Sequence, residues 1–283
     1  MPLIQWYPGH IAKAERQLKE QLNRVDVIFE VLDARIPLAS HHPDVPQWIG
    51  DKPRLLVLNR MDMIPESVRQ GWLNWFAAQG ETVYYTNAKQ GKGIKPLKKA
   101  AQEAGVQMNQ RRRDRGMRPR GVRAVVIGFP NVGKSALINR LLGRKVVASA
   151  RRAGVTRQLQ WIRIADDLEL LDAPGIIPAK LDTQEDAVKL AICEDIGEAA
   201  YDNQQIGAAL VDLLVELNFE KILSSRYQLD PQEMTGEEYI EILGNTRYKG
   251  DKERATMQLL NDFRKGIMGQ IPLELPPTEQ VKS

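Results

Sequence analysis

The stretch Gly128-Phe129-Pro130-Asn131-Val132-Gly133-Lys134-Ser135 decides the fold of this chain. It matches the pattern G-x-x-x-x-G-K-[ST] and lies between an apolar segment at 122–127, which predicts a strand, and a helix-like segment at 134–142. Its glycines allow backbone N–H groups to face phosphate oxygens, and the helix that follows adds the positive end of its dipole. The stretch therefore predicts a phosphate-binding loop inside an α/β domain.

The loop also supplies side chains with separate predicted roles. Lys134 is expected to reach the β- and γ-phosphates and to act in catalysis, and the Ser135 hydroxyl is expected to bind Mg²⁺. The predicted phosphate contacts form one continuous run: Asn131, Val132, Gly133, Lys134, Ser135 and Ala136. The loop thus predicts a nucleoside triphosphate ligand with Mg²⁺ as cofactor.

A second motif, Asp172-Ala173-Pro174-Gly175, follows a predicted strand at 168–171. An acid at a strand end beside a phosphate-binding loop can hold Mg²⁺, and the Gly175 N–H can bond a γ-phosphate. Between this motif and the loop, Thr156 stands where a switch threonine would bind Mg²⁺ when the γ-phosphate is present. We therefore expect Asp172, Thr156 and Ser135 around Mg²⁺, with Thr156 and Gly175 taking part in catalysis.

Two motifs nearer the N-terminus predict which base is bound. Asn59-Arg60-Met61-Asp62 follows a predicted strand at 54–58, and the Asp62 carboxylate can accept hydrogen bonds from the N1–H and N2–H₂ edge of guanine. Adenine lacks that pair of donors, so it would leave the carboxylate unpaired at a cost of about 1–3 kcal/mol. Thr86-Asn87-Ala88-Lys89 follows a predicted strand at 82–85 and can present a backbone N–H to guanine O6. The predicted base contacts are Asn59, Arg60, Asp62, Thr86, Asn87 and Ala88.

The order of these motifs along the chain is unusual. In an ordinary GTPase the phosphate-binding loop comes first and base recognition comes last, whereas here the base motifs at 59–62 and 86–89 precede the loop at 128–135. Each motif still follows its own strand, so the same sheet can form with its chain ends moved. The order predicts a circularly permuted Ras-like P-loop GTPase domain, with the arginine-rich segment 107–120 as an exposed linker between the ancestral ends.

Hydrophobic periodicity divides the chain into three parts. Residues 1–178 alternate strand and helix patterns, beginning with a helix at 9–22, and predict the GTPase domain. Residues 179–272 show only helical patterns and predict a C-terminal all-helical domain, whereas the proline-rich residues 273–283 predict a disordered tail. The predicted helices of the second domain lie at 187–200, 206–218, 237–244 and 252–267.

Composition excludes several classes of protein. Of the 283 residues, 43% are hydrophobic and 27% are charged, which is ordinary for a globular chain with a core. The single cysteine, Cys193, excludes an internal disulfide and a cysteine-rich zinc site. No apolar run is long enough to span a membrane and the N-terminus lacks a secretory signal, so we expect a cytoplasmic protein. Seven arginines and one aspartate at 111–123 fit either a polyanionic partner or a solvated linker.

Together these features resemble the ribosome biogenesis GTPase A family, also called YlqF-type GTPases, over essentially the whole chain. The resemblance includes two further strings, Gln5-Trp6-Tyr7-Pro8-Gly9-His10 and Val31-Leu32-Asp33-Ala34-Arg35-Ile36-Pro37. It implies GTP and GDP as ligands, assistance at a late step in assembling the large ribosomal subunit, and a C-terminal domain that contacts ribosomal RNA. We expect precursor particles of the large subunit as partner, no membrane, and a monomer.

The resemblance also bears on catalysis. Many GTPases carry a glutamine directly after Asp-x-x-Gly to orient the attacking water, but here Ile176 and Ile177 follow. The resemblance points to His10 as the catalytic group brought from elsewhere, and to Asn131 as a K⁺ ligand, so that K⁺ would supply the charge of an arginine finger. On the residues alone, a histidine near a terminus is more often solvated than catalytic.

Three other functions remain open from the sequence. A binding module could use GTP to grip RNA, with hydrolysis incidental to its function. A GTPase of the small ribosomal subunit is a second alternative, although one cysteine and a short segment ahead of the first strand leave no room for the zinc module or OB-fold of that group. An ATP-using kinase is the third, and it would leave Asp62 without a role.

Overall fold

A six-stranded sheet lies at the centre of the computed structural model, which describes residue 4 and residues 9–143, 160–165, 168–172 and 183–277, without the side chains at 9–15, 160, 164, 165, 172 and 199. Its strands are β1 (Val27–Asp33), β2 (Arg54–Asn59), β3 (Val83–Thr86), β4 (Val122–Ile127), β5 (Gln160–Ala165) and β6 (Leu168–Asp172). Their order across the sheet is β3-β2-β1-β4-β6-β5. Neighbouring strands are parallel except β5 and β6, which form an antiparallel pair.

Helices cover the sheet and form the C-terminal part of the chain. Those among the strands are α1 (Gly9–Leu22), α2 (Val45–Ile49), α3 (Glu66–Ala78), α4 (Ile94–Asp114) and α5 (Lys134–Leu142). Those after the sheet are α6 (Gln184–Ile192), α7 (Asn203–Glu216), α8 (Glu220–Tyr227), α9 (Gly236–Arg247) and α10 (Lys252–Arg264). The α/β fold class and the helical C-terminal part are thereby confirmed.

Differences from the predicted elements have local causes. Helices α2 and α8 escaped prediction because their 5 and 8 residues are too few to show helical periodicity. The helix predicted at 187–200 ends at Ile192, since Glu194 adopts a left-handed φ of 65° that no helix can continue through.

Burial on both faces of the sheet explains its parallel form. Strand β1 is buried along its whole length. Phe29 and Val31 belong to one apolar cluster and Ile28 belongs to another, because successive side chains of a strand point to opposite faces. Parallel direction places the carboxyl ends of β1, β2, β3, β4 and β6 along one edge of the sheet. All the predicted nucleotide motifs that follow strands begin at that edge.

The arginine-rich segment 107–120, predicted as a linker, is largely helical. Helix α4 continues to Asp114, so residues 107–114 form its last turns and only 115–121 connect it to β4. Leu97, Ala101 and Gly105 bury one face of the same helix, and the helical register set there continues through the arginines. Most side chains of the segment are exposed, as predicted. Its helical structure was missed because a helix that leaves the core loses the apolar repeat by which periodicity detects it.

The predicted disordered tail is also wrong for its first residues. Leu273 is 1% exposed, and the N–H groups of Leu273 and Glu274 donate to the Arg35 carbonyl oxygen at 3.0 and 3.1 Å. The Glu274 carboxylate accepts from the backbone N–H groups of Leu38 and Ala39 at 2.8 and 3.1 Å, and burial raises its pKa to about 7. We call residues 270–274 the C-terminal strap; residues 278–283 lie outside the described residues.

The helical part and the sheet share one core. Apolar side chains of α6, α7, α9 and α10 belong to the same buried cluster as those of β1 and β4. Ile4 joins this cluster, and its N–H donates to Gln184 Oε1 at 3.1 Å. The predicted domain boundary at residue 178 falls outside the described residues. Among the helices that are described, none is long and apolar enough to cross a membrane.

Packing of the strap is testable by a matched pair of substitutions. We expect Leu273→Ala to lower the free energy of unfolding by about 2–5 kcal/mol, because removing a buried leucine leaves a cavity. Leu275 is 49% exposed, so Leu275→Ala serves as the control and should cost less than about 1 kcal/mol. Urea unfolding of the full chain measures both values. Small, equal losses for the two variants would contradict a packed strap.

Candidate nucleotide-binding site

The phosphate-binding loop connects the end of β4 to the first turn of α5. Gly128 has a φ of 146° and Gly133 has a φ of 104°, in the region that favours glycine. A Cβ atom at Gly128 would lie 2.3 Å from the Val31 carbonyl oxygen, and one at Gly133 would lie 2.2 Å from Asn59 Nδ2. Both glycines are therefore required where the loop turns tightly against β1 and β2.

Lys134, Ser135 and Ala136 form the first turn of α5. Their backbone N–H groups have no partners within the helix and point out of its N-terminal end, which suits an anion. Lys134 is buried, and its ammonium donates to the carbonyl oxygens of Gly128 and Phe129 at 3.1 and 2.6 Å. The ammonium therefore lies within the loop, where it can reach phosphate oxygens.

Asn59 is the residue at which three motifs meet. Its Nδ2 donates to the Val132 carbonyl oxygen of the phosphate-binding loop at 2.8 Å. Its Oδ1 accepts from Thr86 Oγ1 and from the Ala88 N–H, each at 3.0 Å. Asn59 is 4% exposed, so loss of a partner would leave a buried polar atom unpaired. The structure thereby brings together four of the predicted nucleotide-binding residues.

Arg60 and Asp62 point to different parts of the site. Asp62 is exposed in the 3₁₀ turn Met61–Met63, which leaves it accessible to a base. Arg60 adopts a φ of 64°, and its Nη2 donates to the Asn131 carbonyl oxygen at 2.5 Å. Arg60 Nη1 also lies 3.1 Å from Asp33 Oδ2. The arginine that replaces the usual lysine of this motif therefore joins the phosphate-binding loop to the end of β1.

The Thr86–Lys89 element is held in place from α5. Arg140 Nε donates to the Ala88 carbonyl oxygen at 2.9 Å. Asn87 is buried beside it, and its Oδ1 accepts a backbone N–H from three residues further along. Because the Ala88 N–H donates to Asn59 here, the expected reading of guanine O6 by a backbone N–H of this element stays a prediction.

The carboxyl end of α6 contacts the phosphate-binding loop. Four successive carbonyl oxygens at that end accept hydrogen bonds from side chains, those of Ala191, Ile192, Cys193 and Glu194. Arg264 of α10 binds the first two, Arg35 binds the third, and Asn131 Nδ2 binds the fourth at 2.6 Å. The last carbonyls of a helix have few partners within it. Here side chains from three parts of the chain bind them, and the Ala191 carbonyl oxygen also accepts from the Glu194 N–H.

Asp33 and Arg35 form a buried ion pair at the end of β1. Arg35 Nε lies 3.0 Å from Asp33 Oδ1 and Arg35 Nη2 lies 2.7 Å from Oδ2. Burial acts to raise the pKa of Asp33, but the positive charges of Arg35 and Arg60 outweigh it and hold that pKa below its usual range. The pair is therefore ionised and fixes the chain that follows β1.

Asp195 is a buried carboxyl group in the connection after α6. It is 0% exposed, and among the described residues neither oxygen has a hydrogen-bond partner. Arg60 Nη2 lies 3.9 Å from its Oδ1. Burial, followed by the negative charge of Asp33, raises the pKa of Asp195 to about 8. The group is therefore largely protonated at neutral pH, because an unpaired buried charge is unfavourable.

The C-terminal strap supports the turn that carries Asp62. Gln270 Nε2 donates to the Asp62 carbonyl oxygen at 3.2 Å, and the Ile271 N–H donates to the Met63 carbonyl oxygen at 2.9 Å. The base-recognition turn is therefore bonded to the chain that follows α10. Its position depends on the helical part as well as on β2.

The predicted metal and catalytic residues are described in part. Ser135 is half-buried in the first turn of α5, and β6 ends at Asp172, whose backbone pairs in register with Val126 of β4. This register brings Asp172 to the start of the phosphate-binding loop, which fits the predicted role of holding Mg²⁺ beside Ser135. Outside the described residues lie Thr156, Gly175 and the side chains of Asp172 and His10.

The sequence patterns did not predict a role in the site for Asp33, Arg35, Asp195 or the strap. A signal existed for the first two, because they follow an apolar strand in the same way as the recognised motifs. Asp195 carries no such signal, since it lies in a helix–helix connection that only the fold brings to the loop.

Replacing Asp195 with asparagine tests the buried carboxyl group. A group whose pKa rises from 3.8 to about 8 on folding holds its proton more tightly in the folded state, so its contribution to stability falls as pH rises through that range. Between about pH 5 and about pH 8.5 we expect the unfolding free energy of the wild-type chain to fall by on the order of 3–5 kcal/mol because of this group. The Asp195→Asn variant should not show that fall. Urea unfolding at about pH 5 and about pH 8.5 measures it.

The exposed Asp51 offers a control for that measurement, since Asp51→Asn removes a carboxylate from the surface. This variant should keep the pH dependence of the wild-type chain. The same pH dependence in Asp195→Asn and the wild type would contradict the assignment.

Comparisons with known proteins show which GTPases this chain is similar to. Residues 123–241 match the family model MMR_HSR1, described as a 50S ribosome-binding GTPase. A protein of Bacillus cereus called ribosome biogenesis GTPase A is 34% identical over 282 residues, which cover 97% of this chain and 94% of the relative. A protein of the same description from Priestia megaterium is 37% identical over 247 residues, 86% and 85% of the two chains.

Two solved structures are also similar to this chain in fold. A GDP-bound structure of TM YlqF superposes with a TM-score of 0.65 at 25% identity, covering 92% of this chain and 99% of that one. The structure of GNP-bound YlqF from T. maritima superposes with a TM-score of 0.63 at 25% identity, covering 93% and 98%.

Proposed function

The chain belongs to the ribosome biogenesis GTPase A family of circularly permuted P-loop GTPases, and from this we propose that it assists a late step in assembling the large ribosomal subunit. It is a GTPase of ribosome assembly, and that much follows from its family. The proposal adds that the chain, as a monomer, binds large-subunit precursor particles and their rRNA in its GTP form. The description of the matching family model as a 50S ribosome-binding GTPase supports the large subunit over the small one.

The bonding of Asn59 is the observation that carries the nucleotide part of the proposal. Because this residue joins the phosphate-binding loop to both base motifs, one nucleotide can contact all three. In this assignment Asp62 reads the N1–H and N2–H₂ edge of guanine. Contacts to the phosphates come from the run 131–136, with Lys134 as the principal cation.

We expect Asp62→Asn to weaken GTP binding by about 10- to 100-fold, because an amide N–H₂ would then face the guanine donors. Xanthosine triphosphate has a carbonyl oxygen in place of the guanine amino group, so the variant should bind it better than the wild type does. Dissociation constants for GTP, ATP and xanthosine triphosphate measure this change in base preference. Asp51→Asn is the control and should change none of them.

Two results would contradict this base assignment. Unchanged GTP affinity in Asp62→Asn would remove Asp62 from the base site. Binding of ATP by the wild type as tightly as GTP would favour the kinase alternative.

We assign the chemistry to groups that surround the γ-phosphate. Lys134 and the N–H groups of the first turn of α5 stabilise negative charge on the transferred phosphoryl group. Mg²⁺, held by Ser135, Asp172 and Thr156, supplies further positive charge when bound. The Gly175 N–H senses the γ-phosphate and His10 orients the attacking water. Asn131 donates through Nδ2 to Glu194, so its Oδ1 is an oxygen that could serve as a K⁺ ligand.

The proposal predicts slow hydrolysis by the chain alone, as low as about 10⁻⁴ s⁻¹, and several-fold stimulation by large-subunit particles. Stimulation is expected because Ile176 and Ile177 cannot orient water, so His10 must be brought to the site from the N-terminal segment. Phosphate release with purified large subunits, small subunits and their precursors measures it, in K⁺ and in Na⁺ buffer. Lack of stimulation by any of these particles would overturn the proposal, and equal rates in the two buffers would remove the K⁺ role.

The apolar residues after Asp-x-x-Gly also favour a second candidate, a GTP-dependent RNA-binding module with incidental hydrolysis. His10→Ala separates the two functions. In an enzyme that times its own release, this variant loses stimulated turnover and accumulates on precursor particles. In a binding module, the variant loses turnover while growth and particle assembly continue as in the wild type.

A further inference from the structure

The end of α4 and the loop after it concentrate positive charge. Residues 111–120 contain six arginines and one acidic residue, Asp114. Some of this charge has a structural role, because cations are favourable near the carboxyl end of a helix. The number of arginines exceeds what that role needs, and the structure separates them into two groups.

Arg112 and Arg120 hold the loop in shape. Arg112 Nε donates to the Arg118 carbonyl oxygen at 3.0 Å. Asn109 and Arg120 exchange two hydrogen bonds, Nδ2 to carbonyl at 2.9 Å and N–H to Oδ1 at 3.0 Å. Both ends of the Arg120 guanidinium bind the Asp26 carboxylate, at 2.7 and 2.9 Å. The loop is therefore folded back onto α4 and fixed to the start of β1.

The other four arginines are exposed: Arg111, Arg113, Arg115 and Arg118. Among the described residues, none of the four takes part in an ion pair with a carboxylate, and the carboxylate of Asp114 accepts from Gln110. Residues 111 and 115 are one helical turn apart, which places their side chains about 5–6 Å from each other. Arg113 lies two residues from each, about 200° around the helix, so it faces a different side. Arg118 lies beside the same turn, because its carbonyl oxygen accepts from Arg112. We call Arg111, Arg115 and Arg118 the arginine surface.

The arginine surface lies far from the nucleotide motifs. Helix α4 begins after β3, at the edge where the nucleotide motifs lie, and ends before β4, at the opposite edge. Its 21 residues span about 30 Å. A partner bound at the arginine surface therefore does not compete with the nucleotide for space, and β4 runs from this surface directly into the phosphate-binding loop.

We propose that the arginine surface binds the phosphate backbone of folded RNA. Guanidinium groups bind phosphate through two parallel hydrogen bonds, and a rigid scaffold avoids the entropy of ordering a flexible basic tail. Closely spaced cations match a strand of closely spaced phosphates, and RNA helices are recognised through backbone and shape. The inference rests on the proposed function for the identity of the polyanion, and it adds a second contact besides the helical part.

The test compares two triple variants of the full chain that remove the same charge from the two ends of α4. R111Q/R115Q/R118Q changes the arginine surface, and glutamine keeps the helical propensity of arginine. K95Q/K98Q/K99Q changes the other end of α4 and is the control. The probes are a labelled 20-base-pair RNA duplex and purified large-subunit particles, each titrated over a range of KCl concentrations. GTP affinity is measured alongside as a check on folding.

We expect the arginine variant to bind the duplex about 10- to 100-fold more weakly at low salt, with a slope of log K against log[salt] that is smaller by about 2–3. Its binding to large-subunit particles should fall by a factor within the same range. The lysine variant should stay within about twofold of the wild type in both assays, and both variants should keep wild-type GTP affinity.

Three results would overturn the inference: unchanged affinity and slope in the arginine variant, equal losses in the two variants, or tighter binding of polyglutamate than of RNA at the same residues. The first two results would leave no specific role for this surface. The third would indicate that the surface binds an acidic protein. Wild-type binding to the duplex but not to large-subunit particles would contradict the proposed function while leaving this surface an RNA site.

Discussion

The side-chain amide of Asn59 donates to the phosphate-binding loop and accepts from the turn that follows β3. It does so in a buried position, where each bond replaces water that has been excluded, so an alternative arrangement would leave polar atoms unpaired. Gly133 approaches this amide so closely that no side chain fits between them. The relative positions of the phosphate and base motifs depend on this contact, because they come from separate strands and separate parts of the chain.

A second group of contacts joins the site to the helical part. Asn131 binds the carboxyl end of α6, and the C-terminal strap bonds the turn around Asp62. Arg35 takes part in both, since its side chain reaches the end of α6 and its carbonyl oxygen accepts from the strap. A conformational change in the phosphate-binding loop or in the turn around Asp62 therefore alters contacts with the helical part directly. This arrangement suits a GTPase whose nucleotide state must be read by another region of the same chain.

Circular permutation changes where chain ends and connections lie without changing the sheet. The segment between the ancestral ends is a helix that packs on the sheet and carries its register through to Asp114. The permuted order also places the helical part directly after Asp172 in sequence, with residues 173–183 between the last strand and α6. Basic charge and nucleotide motifs consequently lie at opposite edges of one rigid sheet.

Local sequence patterns established the fold class, the order of the motifs, and most strands and helices, and they predicted a set of residues that contact the nucleotide. These depend on local patterns: alternation in strands, a 3.6-residue repeat in helices, and glycines that only one kind of loop requires. The tertiary structure alone decided the Asp33, Arg35 and Asp195 cluster and the strap, and it turned a predicted linker into a helix. Arg35 contacts Cys193 and the strap, both more than a hundred positions away, and α4 continues after it has left the core. No local pattern records such contacts, because the burial of a charged side chain is a property of what folds around it.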